Sequence, residues 1–285
     1  MNKSKLTNNI FEIPKPLIFT SRFLQSVSNT LAARFLSHLF ETPPKFKIPE
    51  REETFRKSAQ SEVLHIPDIQ KDITVFSYGY SKSKVLLLHG WSGRGSQLYH
   101  LADKILENRM MVISVDAPAH GLSSGKKTNM LEYIRAIEEI DKKCGPFDYA
   151  IGHSWGGMTL LNALGKKLKL KKAVIIGADN KISEVISGFV KKFQVDQSVT
   201  PVIIAHYCKL LKVQMDQFDS EKVASRIDIP VLVIHDTKDA FVPVSSAIEI
   251  RQQLKKGSLL ITNGLGHHKI FKDPEVIQKI INFIQ

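Results

Sequence analysis

Within the 285-residue chain, residues 150–161, "AIGHSWGGMTLL", combine types and spacing that could support nucleophilic chemistry. Gly152, His153, Ser154, Trp155 and Gly156 form a GxSxG string, placed where a run that reads as a buried strand passes into one that reads as a buried helix. Glycines two residues to either side let strand and helix come close while Ser154 sits at the tip of a sharp turn. The string alone also fits a tight packing turn with no chemistry. A serine hydroxyl is a poor nucleophile until a neighbouring base takes its proton, so the rest of the chain must supply that base and a group to orient it.

Two later segments do so. "TNGLGHHKI" puts His267, with His268 beside it, in a glycine-bracketed loop, and "HDTKDAFVP" puts Asp239, with Asp236 close by, in the loop after the preceding apolar run. Both loops leave the carboxyl ends of expected parallel strands, on the same sheet edge as Ser154, where open α/β sheets bind ligands. Ser154, Asp239 and His267 can therefore converge without threading the chain.

The elements that must position them follow from periodicity. From residue 61 onward the runs "KVLLLHG", "MVISVD", "YAIGHS", "KAVIIGA", "PVLVIHD" and "SLLITNG" are almost wholly apolar, as strands covered on both faces are. "SEVLHIP" and "DITVFSYGY" alternate more and read as an antiparallel entry hairpin at one edge. Helical patterns fill the gaps at about 96–107, 128–143, 155–165, 244–255 and 274–284, the last opening with Asp273 before Pro274. This predicts an α/β architecture: a mostly parallel sheet with helices on both faces. The long gap of helical phases at about 181–228 reads as a small cap inserted over one end of the sheet.

With these motifs in place the chain resembles the α/β-hydrolase fold family, whose triad runs serine, acid, histidine in that order. "LLLHGWSG" is similar to the family's HG loop after the third strand, and "VDAPAHGLSSG" to its loop after the fourth. The resemblance covers residues 61–285. It implies Ser154 as nucleophile, His267 as base and Asp239 as the acid that orients it, with the backbone N–H groups of Trp91 and Trp155 facing the oxyanion. The family places the base directly after GxG, which favours His267 over His268. It places the acid a few residues past the strand, which favours Asp239 and leaves Asp236 to shape the turn. An aspartate nucleophile is absent, and so is an HGGG oxyanion loop, since Trp91 and Ser92 follow Gly90. The implied activity is cleavage of a small or medium carboxylic ester, or a thioester, through an acyl-enzyme. No cofactor is implied. His89, His120, His153 and Asp116 match no metal-ligand spacing and read as loop-bracing residues. A ligand-binding protein on the same fold, without catalysis, is the alternative.

Residues 1–60 lie outside the resemblance. "RFLQSVSNTLAARFLSHLF" carries an amphipathic helical pattern, followed by a proline-rich arm, "ETPPKFKIPE". The helix reads as packed on the main domain or as a membrane-surface or partner-binding element. The net charge of +12 lies mostly in scattered lysines without a nucleic-acid reading motif, so no nucleic-acid partner is expected. Two dissimilar cysteines, Cys144 and Cys208, suggest neither a disulfide framework nor a thiolate metal site. Charges and prolines interrupt the N-terminal apolar residues, so a secretory signal is not expected, and a cytoplasmic setting is.

Overall fold

In the computed structural model, which describes residues 13–166 and 168–285, eight strands form one sheet. They are β1 (Gln60–Ile66), β2 (Lys71–Tyr78), β3 (Lys84–Leu88), β4 (Met111–Val115), β5 (Tyr149–His153), β6 (Lys172–Ile176), β7 (Val231–Asp236) and β8 (Gly257–Thr262). Their spatial order is β1-β2-β4-β3-β5-β6-β7-β8, antiparallel where β2 meets β1 and β4 and parallel elsewhere. The expected α/β architecture and its edge hairpin are both present. The helices in chain order are α1 (Lys15–Val27), α2 (Asn29–Phe40), α3 (Glu53–Ser58), α4 (Tyr99–Glu107), α5 (Met130–Cys144), α6 (Trp155–Leu164), α7 (Ile182–Lys192), α8 (Val199–Leu211), α9 (Ser220–Ala224), α10 (Val244–Gln253), α11 (Gly266–Lys269) and α12 (Pro274–Ile284).

Two compact units result. The larger holds Glu41–Lys181 and Asp216–Gln285. Its strands divide their side chains by the two-residue period: Leu86, Leu88, Ala150, Ile175 and Val233 face a core built with α5, α6 and α10. Val85, Leu87, Ile151, Val174 and Ile234 face a second core built with α3, α4 and α12. The helices start where capping chemistry allows. Asn129 accepts the Glu132 N–H at the head of α5, and Asp273 accepts those of Glu275 and Val276 at the head of α12. β8 departs from expectation: as the last strand it has no neighbour beyond it, and Leu259 and Ile261 are exposed rather than covered on both faces.

The smaller unit comprises the described part of Met1–Phe40 together with Ile182–Met215. The apolar pattern of residues 22–40, read as one helix, breaks at Ser28, whose backbone is extended. Ser28 closes α1 with its own N–H to the Leu24 carbonyl and opens α2 by accepting the Thr30 N–H on its Oγ. Inside this unit the Phe40 ring meets Phe189 edge-on at 5.1 Å, and the Tyr207 hydroxyl donates to the Ser37 carbonyl at 3.3 Å. The third helical phase of the expected cap, "QFDSEKVASRI", forms a 3-10 turn and the short α9, and it belongs to the larger unit. There Asn180 Oδ1 accepts the Glu221 N–H and the Asn180 carbonyl accepts that of Ser220.

The turn from β5 to α6 is the tightest backbone approach near the sheet's carboxyl edge. A Cβ on Gly156 would lie 2.5 Å from the carbonyl oxygens of both Leu88 and His89, and backbone atoms cannot rotate away. Gly156→Ala is expected to lower stability by about 2–3 kcal/mol, read as a drop in urea midpoint. An unchanged midpoint would contradict the close approach of α6 to β3.

Candidate functional site

Ser154 is the residue on which β5 ends and α6 begins. Its backbone sits at φ 54° and ψ −122°, a conformation that costs on the order of 1–3 kcal/mol and persists only where surroundings impose it. The Ser154 N–H donates to the Ile176 carbonyl of β6, and its carbonyl accepts from Gly157 and Met158, so the turn is tied to both neighbours. The hydroxyl is thereby held out beyond the strand ends.

Asp239 follows β7 and His267 lies in α11 after β8. His267 Nε2 is 3.0 Å from Ser154 Oγ, and His267 Nδ1 is 2.6 Å from Asp239 Oδ2. The carboxylate fixes the tautomer: Nδ1–H donates to Asp239, leaving the Nε2 lone pair to accept the serine proton. Asp239 is itself oriented, because its Oδ1 accepts the N–H groups of Phe241 at 2.8 Å and Val242 at 3.0 Å. Burial alone would raise the pKa of Asp239. The hydrogen bond and charge of His267, with the two backbone donors, outweigh burial and hold the carboxyl below its ordinary value.

The competing residues have other engagements. Asp236 accepts from the N–H groups of Lys238, Gly264 and Leu265 and from the Thr262 hydroxyl, tying the loop after β7 to the loop after β8. His268 packs edge-on against the His267 ring at 5.1 Å and makes no hydrogen bond to Ser154 or Asp239 among the described residues. Asp116 takes the Gly95 N–H on one oxygen and the Leu122 N–H on the other.

Three further histidines act as struts. His89 accepts the Ala117 N–H at Nε2 and donates Nδ1–H to the Gly90 carbonyl at 2.7 Å. His120 repeats the device, accepting the Ser92 N–H at Nε2 and donating to the Pro118 carbonyl. Together they join the HG loop to the loop after β4. His153 donates Nε2–H to the His267 carbonyl at 2.9 Å, so the residue before Ser154 holds the backbone of His267. Burial depresses all three pKa values, that of His120 to about 4, keeping each ring neutral and able to accept.

A Cβ on Gly90 would lie 2.9 Å from Ser154 Cβ, so the HG loop runs directly against the elbow. This brings Trp91 and Trp155 together, their rings meeting edge-on at 5.0 Å, and His120 stacks on Trp155. Trp155 opens α6, where a first-turn N–H has no acceptor within the helix.

Two families match this sequence, one described as alpha/beta hydrolase fold over residues 84–194 and one as TAP-like protein over 199–285. The chain has the α/β-hydrolase fold. It is 23% identical over 243 residues to a monoacylglycerol lipase of Mycolicibacterium smegmatis, covering 69% of this chain and 84% of that one. Among solved structures it is similar to an esterase of Pyrococcus furiosus, with a TM-score of 0.67 and 17% identity over 85% of this chain and 97% of the other. An esterase from Exiguobacterium antarcticum gives 0.62 and 16%, over 79% and 99%.

The structure also contains a brace that no sequence pattern announced. Glu52, 1% exposed, accepts from Arg94 Nε at 2.6 Å and Nη2 at 2.5 Å, and from the Ser96 hydroxyl at 2.7 Å. It anchors the HG loop to the arm before β1, and Pro43, Pro44 and Phe46 of that arm line a depression with Ser92 and His120. In "PEREET" nothing distinguishes Glu52 from Glu50 and Glu53.

Two outcomes follow. Glu52→Gln leaves the Arg94 guanidinium without its carboxylate and is expected to cost about 3–5 kcal/mol of stability, measured by urea unfolding. His120 binds a proton more readily when unfolded, so its contribution is complete above about pH 6.5 and is lost as pH falls toward about 4, by roughly 3 kcal/mol in all. Unfolding midpoints of wild type and His120→Gln should therefore converge over that range as acid is added; parallel curves would show that His120 is not the group responsible.

Proposed function

We propose that the protein is a serine hydrolase that cleaves carboxylic esters through an acyl-enzyme intermediate, with Ser154, His267 and Asp239 as its catalytic residues. The observation that carries this reading is the continuous chain from Ser154 Oγ through His267 to Asp239, at 3.0 and 2.6 Å, on a strained elbow. Ser154 Oγ attacks the carbonyl carbon while its proton passes to His267 Nε2. The imidazolium so formed is stabilised by Asp239, which is ionised and already oriented. Negative charge gathering on the carbonyl oxygen is met by the N–H groups of Trp155 and Trp91; one such donor is worth about 3 kcal/mol in the transition state. Collapse breaks the ester C–O bond, and His267 returns the proton to the departing alkoxide. Water then attacks the acyl-serine while His267 takes its proton; collapse breaks the acyl C–Oγ bond, His267 returns that proton to Ser154 Oγ, and the acid is released.

The similarity to a monoacylglycerol lipase and to two esterases supports an ester substrate, and a thioester would follow the same steps with a thiolate leaving. The tryptophan pair supplies an apolar wall beside the reacting carbonyl, which suits an acyl chain. Trp91 is 36% exposed.

A fluorophosphonate is expected to label Ser154 in the folded wild type. Ser154→Ala and His267→Ala should each lower kcat for a short p-nitrophenyl ester by about 10⁴-fold or more, while His268→Ala keeps substantial activity. Folded wild-type protein that takes up no label would sink the proposal. Loss of activity in His268→Ala with retention in His267→Ala would reassign the base.

A further inference from the structure

An amphipathic helix needs one apolar face to pack, and α1 has two. Its inner side, with Leu17, Ser21 and Leu24, is half-buried or buried. Beside it, Gln25 Oε1 accepts the Asp196 N–H at 2.9 Å, and Asn29 Nδ2, at the head of α2, donates to Ser198 Oγ at 3.1 Å. The outer side carries Phe19, Phe23 and Val27 at four-residue spacing, 74%, 59% and 62% exposed. Leu31, in the first turn of α2, is 40% exposed. Since the inner side already supplies the packing, folding does not require these outer residues to be apolar.

The charges beside them are of one sign. At 100° per residue, Arg22, Lys15, Phe19, Phe23 and Val27 fall within an arc of about 140° on one side of α1. Residues 13–40 contain Lys15, Arg22 and Arg34 and no Asp or Glu. Over residues 13–40 and 182–215 together there are seven lysines and arginines against two acids, Glu184 and Asp196. Large apolar side chains interleaved with cations, with no anion among them, match the chemistry of a lipid interface: rings enter the acyl boundary while ammonium and guanidinium groups stay at anionic headgroups.

We propose that the outer face of α1, with Leu31 and Arg34 of α2, docks on an anionic lipid surface. This interaction does not rest on the hydrolase reading, since none of its residues belongs to the catalytic set. The rings supply the depth of insertion, and the cations supply its selectivity for negative headgroups. Each basic residue near such a surface is worth about a fivefold change in affinity.

The test is co-sedimentation of the full chain with vesicles of phosphatidylcholine, with and without phosphatidylglycerol. Wild type is expected to pellet with the anionic vesicles and be released by salt. Phe19→Ser/Phe23→Ser should weaken binding about tenfold or more, and Arg22→Glu/Arg34→Glu should abolish the preference for phosphatidylglycerol. Both variants replace exposed residues and should keep wild-type unfolding midpoints and wild-type turnover of a soluble short ester. Absence of wild-type binding to anionic vesicles, or equal binding by the Phe19→Ser/Phe23→Ser variant, would overturn the proposal. So would sedimentation velocity showing a wild-type dimer that this variant dissociates, which would assign the face to a second copy of the chain. A protein that hydrolyses no ester but still binds these vesicles would refute the hydrolase reading and leave this one standing.

Discussion

Every feature of the site depends on the absence of side chains where β5 turns into α6. Gly156 backs onto the carbonyls of Leu88 and His89, and Gly90 backs onto Ser154 itself. These approaches leave no room for a Cβ, and they hold Ser154 in a backbone conformation that serine would otherwise avoid. The strain is maintained by hydrogen bonds to β6 and to the first turn of α6. The projecting, half-buried hydroxyl is thus a consequence of close packing, and the packing is possible because Gly90, Ser154 and Gly156 meet at one point.

Around that point the loops are joined by side chains that stay in one protonation state. Asp236 links the loop after β7 to the loop after β8, His153 links the elbow to the backbone of His267, and His89 and His120 link the HG loop to the loop after β4. Burial keeps the histidines neutral, so each retains one donor and one acceptor, and His89 and His120 each serve two backbone groups at once. His267 differs because its Nδ1 meets the Asp239 carboxylate at 2.6 Å rather than a backbone carbonyl. Chemically identical rings are separated into struts and the proposed base by what lies beside Nδ1: a carbonyl in His89 and His120, a carboxylate in His267.

Much of this was legible in the chain. Parallel strands covered on both faces must be almost wholly apolar, so β3 to β7 declared themselves, and their order placed the loops carrying Ser154, Asp239 and His267 on one edge. Asp236 was legible as a turn residue because it sits directly at the end of its strand. Other features had no local signature. Glu52 is buried by partners 42 and 44 residues away, and its immediate sequence is as charged as any exposed turn. The break at Ser28 depends on one extended residue inside an otherwise helical pattern, which periodicity does not register. β8 shares the apolar composition of the central strands, and only its place at the end of the sheet leaves Leu259 and Ile261 uncovered.

The central claim concerns covalent chemistry at a single oxygen, and intact-mass spectrometry during turnover tests it most directly. When the protein is mixed with p-nitrophenyl acetate and quenched in acid, one acetyl group should appear on the chain and map to the peptide bearing Ser154, with a matching burst of nitrophenolate. Turnover without an adduct, or an acetyl group carried by another residue, would contradict the account.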